Sequence, residues 1–286
     1  MHFLELIRQS RWRALRGVIH RASKPAYEGR RGLRSISDSG FYPEVARRAA
    51  QDKRAFAKFK RNPIYCEVLE HVSKEQGALY LEEIQMKWPQ LITSLENAKI
   101  NDEIGDPIRF CYPGAGTISP TTLRYLKVAC DLREVFGDLS GFKVVEIGGG
   151  YGGQCLLADM LWQLRSWTVF DLDAVLLLIS RYLECHLMNS SYKVMTLNRF
   201  DDEGEEFDLA ISNYAFSELP KVLQEKYVSK VLSKARRGYM NMNTGNDDAD
   251  KNHMSVDELR AHFPDLTVLE EVPLTAAGNY TVIWGK

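Results

Sequence analysis

The chain has 286 residues, 45% of them hydrophobic and 26% charged, and a net charge of −1. That suits one large domain or two ordinary ones with a sizeable core, and near-neutrality excludes a global field that recruits nucleic acid. No apolar run approaches the ~20 residues that span a bilayer, and five scattered cysteines without a C-x-x-C pair read as reduced thiols, which implies a cytoplasmic protein.

Residues 1–35 are strongly basic, with Arg8, Arg11, Arg13 and Arg16 spaced among Phe3, Leu4, Ile7, Trp12 and Leu15. Residues 3–20 could form a basic amphipathic helix making weak contact with an anionic membrane surface. The plainer expectation is an arm with its arginines in solvent. Residues 43–61, 63–73, 79–88 and 89–97 read as helices broken at Pro63, Gly77 and Pro89. Arm and helices together make an N-terminal module over residues 1–104, with no legible chemistry. Residues 105–286 are expected to form the second domain. It opens on a loop-like stretch rich in Gly and Pro, and Ser119-Pro120 then starts a helix over residues 121–136.

The centre of the chain is KVVEIGGGYGG, residues 143–153. Val144, Val145 and Ile147 form a buried-strand signal, and the glycines allow a tight turn with close ligand approach. A helix follows over residues 154–164. Strand, glycine turn and helix make a nucleotide-type cofactor cradle. Its glycines fit two patterns. Gly148, Gly150 and Gly153 satisfy the dinucleotide G-x-G-x-x-G, whereas Glu146, Gly148, Gly150 and Gly152 satisfy the acidic-x-G-x-G-x-G pattern of S-adenosylmethionine (SAM) methyltransferases. A pyrophosphate favours amide donors and positive charge, which Glu146 opposes, while the same Glu suits the ammonium and sulfonium end of SAM.

Downstream, strands are expected at 167–170, 192–197, 207–212 and 238–242, with helices at 174–187, 220–235 and 255–263. Asp171 follows the second strand, where a doubly wound fold sets a carboxylate against ribose hydroxyls. Asn198 would face the adenine and Asn213 the methionine or the reaction centre. Residues 266–272 and 280–284 are joined by a loop too short for a helical crossover, so they pair antiparallel. A parallel sheet ending in an antiparallel hairpin adds weight to SAM. The expected fold is therefore α/β: a Rossmann-like class I methyltransferase behind a helical module.

EIGGGYGG (146–153), ISNYAFSEL (211–219), NYTVIWG (279–285) and ISPTTLRY (118–125) resemble the bacterial family of sugar O-methyltransferases, as do FKRNP (59–63) and LEHVS (69–73). The resemblance begins near residue 59 and implies SAM as cofactor and a sugar or glycan-type acceptor. It also implies that Arg124 and Tyr125 reach the SAM carboxylate. An alcohol nucleophile calls for a general base, and Glu218 after the fourth strand and His253 after the fifth are the candidates. Residues 243–250 are rich in oxygen ligands but lack the calcium-loop pattern, and no zinc spacing exists, so no metal is expected. A plain structural reading stands beside each residue: a cap for Asp171, a turn for Asn198, a surface helix position for Arg124 and Tyr125, a helix-dipole charge for Glu218. An NAD(P)-dependent oxidoreductase and a catalytically silent SAM-fold assembly module remain the alternatives.

Overall fold

The computed structural model describes residues 40–201, 203–243 and 253–285, all within one compact unit. The basic arm with its expected helix at 3–20, and all of the acidic turn beyond Asn243, lie outside the described residues.

Seven strands form one sheet: β1 (Lys143–Ile147), β2 (Ser166–Phe170), β3 (Ser191–Met195), β4 (Phe207–Asn213), β5 (Ala235–Met242), β6 (Thr267–Glu270) and β7 (Tyr280–Trp284). The order across the sheet is β3-β2-β1-β4-β5-β7-β6. The first five strands run parallel, and β7 pairs antiparallel with both β5 and β6. This is the class I methyltransferase architecture, with the expected hairpin at its end. Along β1, Val144 faces one core layer while Val145 and Ile147 face the other. Burial on both faces is why apolar residues occupy successive positions at Val144 and Val145. Strand order reverses between β1 and β4, and doubly wound sheets bind ligands at the carboxyl ends on either side of such a point.

On the Val144 face lie α1 (Tyr42–Gln51), α2 (Pro63–Val68), α3 (Lys74–Lys87), α4 (Pro120–Phe136), α5 (Gly153–Leu161) and α6 (Asp173–Leu183). The opposite face carries α7 (Lys221–Lys230) and α8 (Val256–His262). The start of α4 is as expected, since the Ser119 hydroxyl accepts the Thr122 N–H at 3.1 Å and Pro120 fills the first turn.

Three expectations are corrected. The helix read over 43–61 breaks at Asp52, which turns extended and whose carboxylate accepts the Ala55 N–H at 2.7 Å, starting a separate turn over Lys53–Phe56. Gly77 does not end a helix but lies inside α3, which begins earlier because Ser73 and Gln76 form a reciprocal capping box. A Cβ at Gly77 would stand 2.2 Å from the Tyr112 hydroxyl, so packing demands the glycine. The loop-like stretch before α4 contains a two-stranded ribbon, Phe110–Tyr112 with Gly116–Ile118.

The N-terminal helices are tied to the sheet layers. Arg181 of α6 donates to the Ala49 and Ala50 carbonyls at 3.0 and 2.9 Å and lies 4.1 Å over the Phe56 ring. A cation thus caps the carboxyl end of α1.

Candidate functional site

The glycine turn joins β1 to α5. Gly148, Gly150 and Gly152 take φ of +80°, +62° and +95°, a region that a Cβ makes costly. Gly152 caps α5 in the left-handed conformation, while Gly153 is already helical. Their surroundings are tight. A Cβ on Gly148 would sit 2.1 Å from the Ala215 Cβ, and one on Gly150 would press on Leu69 at 3.1 Å. The space above Gly150 is therefore taken on that side by the chain segment after α2.

Asp171 and Glu146 flank the turn from below. One Asp171 oxygen accepts the Gly150 N–H at 3.2 Å and the other accepts the Leu172 N–H at 2.7 Å. Asp171 is thus a clasp on the glycine turn rather than a helix cap, and it is half-buried at the carboxyl end of β2. Burial pushes its pKa up to about 6, against the opposing pull of the Leu172, Gly150 and Gly149 amides. Glu146 is only 1% exposed, and its carboxyl accepts the Trp167 indole N–H at 3.0 Å. Burial pushes that carboxyl up to about 8, the indole bond opposing the rise and the Asp171 charge adding to it. Glu146 is therefore enclosed beneath the turn and largely uncharged at neutral pH. Its one side-chain bond in the described structure is the one to Trp167.

The first two turns of α4 add a cation and a phenol. Arg124 is 8% exposed, and its Nη2 donates to the Leu69 carbonyl at 3.2 Å. Its Nε is buried without a partner, and no carboxylate among the described residues makes an ion pair with it. A buried guanidinium left open in this way fits a ligand anion. Tyr125 is buried beside it, edge-on to Tyr151 and against Gly153, with its phenol pushed up to about 12 chiefly by burial. Tyr42 of α1 also reaches the site. Burial raises its phenol well above the usual range, and the Asp171 and Glu218 carboxylates add to the rise. Sequence reading found no chemistry in the N-terminal module, because a long-range interaction such as that of Asp171 with Tyr42 leaves no local signal.

His253 bonds the backbone of the residue after Glu218. Glu218 is half-buried in the short turn Ala215–Glu218 after β4 and accepts an N–H from Asn243 Nδ2 at 3.3 Å. His253 Nδ1 donates to the carbonyl of the next residue, Leu219, at 2.8 Å, which leaves Nε2 as its basic atom. Asn213 stays half-buried, with its Oδ1 accepting from Asn241 Nδ2 at 3.1 Å. Asn198 is exposed in the turn after β3. Tyr214, next to Asn213, holds φ at +70°, a strained value for a non-glycine residue, and its hydroxyl donates to the buried Glu271. No group of metal-ligating side chains occurs among the described residues, and no helix there is long and apolar enough to cross a membrane.

No family model and no curated protein matches the chain. Among solved structures it is similar to the PH0226 protein from Pyrococcus horikoshii OT3, at 11% identity and a TM-score of 0.45, over 56% of this chain and 88% of that one. Magnesium protoporphyrin IX methyltransferase from Synechocystis PCC 6803, solved with bound SAH, is similar at 13% identity and 0.42, over 57% and 84%. An O-methyltransferase family 2 protein from Planctomyces limnophilus DSM 3776 in complex with apigenin is similar at 16% and 0.38, over 51% and 50%. These are distant similarities; the fold stands on the strand order itself.

Proposed function

We propose that this protein is a SAM-dependent O-methyltransferase acting on a hydroxyl of a sugar or glycan-type small molecule. The carrying observation is Arg124: a buried guanidinium with an unpartnered N–H, beside a positive-φ glycine turn at the reversal point of this sheet. Bound SAM would supply an electrophilic methyl group for in-line displacement. Gly148, Gly150 and Gly152 give the turn beside it its positive-φ shape, and Arg124 beside Tyr125 pairs its carboxylate. Asp171 takes the ribose through oxygen lone pairs not used by the turn, Asn198 the adenine and Asn213 the methionine side. Glu218 holds the proton leaving the acceptor hydroxyl, with His253 Nε2 as the neighbouring base. The sugar class rests on the resemblance of residues 118–125 and 211–219.

Titration calorimetry with SAM, S-adenosylhomocysteine and NAD(P)H, followed by transfer of labelled methyl to nucleotide sugars and glycan fragments, tests this reading. Binding of the two sulfur nucleosides, no NAD(P)H binding and turnover on a hydroxylated acceptor are expected. NAD(P)H binding without SAM binding would overturn it, and SAM binding with no turnover would favour a silent assembly module. Glu218→Gln is expected to keep cofactor affinity and lose ~10²–10⁴ in rate, the usual contribution of a general base. If only His253→Asn does so, the base is His253.

A further inference from the structure

Glu146, the acidic partner expected from the sequence for the ammonium of an amino-acid moiety, is enclosed and bonded to Trp167. A different carboxylate stands in the right place. Glu70, just after α2, has one oxygen accepting the Thr121 hydroxyl at 2.8 Å, and its other oxygen is buried with no partner. Thr121 and Arg124 lie three residues apart, on one face of the first two turns of α4. Arg124 is itself bonded to the carbonyl of Leu69, the residue before Glu70. Glu70 and Arg124 thus meet the same segment without forming an ion pair, and each keeps a buried atom without a partner; burial raises the Glu70 pKa, and the Lys60 charge, the Thr121 bond and the Arg124 charge oppose the rise. Leaving two such atoms unsatisfied is costly, so the arrangement calls for a ligand that completes both. The spot adjoins the glycine turn, because Leu69 packs on Gly150 and Tyr125 on Gly153.

We propose that Glu70 and Arg124 form a zwitterion clamp, in which Arg124 Nε–H takes an α-carboxylate and the free Glu70 oxygen takes an α-ammonium. This rests on the cofactor reading above, and it makes the helical N-terminal segment part of the cofactor site. The clamp selects a nucleoside that carries an intact amino acid over one without it. Lys60 and Asp102 are the other charges that Glu70 feels. Lys60, the stronger of the two cations acting on Glu70, donates an Nζ proton to the Asn101 carbonyl, and Asp102 accepts from Ser119 and Thr122.

The test is calorimetric, on the full chain, with three probes: S-adenosylhomocysteine, its α-deamino analogue, and 5′-methylthioadenosine, which lacks the amino acid. Wild type should bind S-adenosylhomocysteine at least about tenfold more tightly than either other probe. Glu70→Gln, which keeps size and the Thr121 bond, should remove the preference over the deamino analogue and leave 5′-methylthioadenosine within twofold. Glu70→Asp, with the same charge one methylene shorter, serves if the first variant does not fold and should weaken only the amino-acid ligand. An unchanged preference in a folded variant, or an equal loss for all three probes, overturns the clamp and leaves the cofactor reading standing. Wild type binding none of the probes overturns the cofactor reading and the clamp with it.

Discussion

A carboxyl group that burial holds protonated destabilises the fold wherever the unfolded chain would ionise it. Glu146 is such a group, with its folded pKa about 8 and the ordinary value near 4.5. Between those values the native state binds the extra proton, so stability falls as pH rises through that window and levels off above it. Each unit is worth ~1.4 kcal/mol, so the full effect reaches a few kcal/mol. Glu146→Gln keeps an acceptor for the Trp167 indole and removes the ionisable proton. The variant is expected to gain on wild type steadily from pH 5 to pH 8, measured as urea midpoints; a gain independent of pH would show that Glu146 ionises freely in the fold. Asp171 poses a different question at the same scale, because the clasp on Gly150 and a ribose contact use the same carboxylate. Asp171→Ala should lower S-adenosylhomocysteine affinity by one to two decades. Comparing adenosine with 2′,3′-dideoxyadenosine separates the two roles: if the clasp alone matters, both ligands lose equally, and if the ribose matters, only adenosine suffers.

The glycine turn shows how a motif is legible as an element while its reasons are not. A sequence reader assigns Gly150 to ligand space, yet the structure sets Leu69 against it and Ala215 against Gly148. Both alanine substitutions carry a positive-φ strain of ~1–2 kcal/mol. Gly148→Ala adds a collision at 2.1 Å with a Cβ rooted on the turn after β4, and it should be the more destabilising of the two. Gly150→Ala meets only the end of a leucine side chain at 3.1 Å, so Leu69→Ala in the same chain should recover part of its loss. Urea midpoints of the three variants check this, and an absence of any recovery would mean that backbone strain is the whole cost. The same contrast runs along the chain. Parallel strands and the α4 cap were legible because β-branched runs and Ser119-Pro120 act locally. The break at Asp52 was hidden because its helix-forming neighbours read as continuous. Gly77 misled because its reason is Tyr112, far away in sequence.

Across the whole molecule, the boundary expected near residue 104 divides the sequence where the packing does not divide the described residues. Lys60 is wholly buried, with its Nζ 4.0 Å from the centre of the Tyr151 ring, the tyrosine of the glycine motif itself. Asn101 donates to the Tyr151 hydroxyl at 3.0 Å and accepts the Tyr182 hydroxyl at 2.8 Å. Asp102 accepts the backbone N–H and hydroxyl of Ser119 and the hydroxyl of Thr122, bracing the α4 cap that positions Arg124. These links explain why the site was only half legible. The glycine turn and Asp171 announce themselves by spacing, whereas Tyr42, Leu69 and Glu70 arrive from a segment whose role depends on long-range contact alone. They also dictate the behaviour of fragments. Removing residues 1–104 would leave Tyr151 and Tyr182 without Asn101, Ser119 without Asp102, and α6 without the helix its Arg181 caps. Buried polar groups stripped of partners are costly, and native domains, being marginally stable, withstand the loss of few of them. The fragment 105–286 is therefore expected to show no cooperative thermal transition, while the full chain unfolds residues on both sides of 104 together. Circular dichroism melts, with hydrogen exchange read separately for residues 42–104 and 143–284, check both statements. A fragment melting cooperatively within a few degrees of the full chain would show that the helical segment is an accessory rather than part of the core.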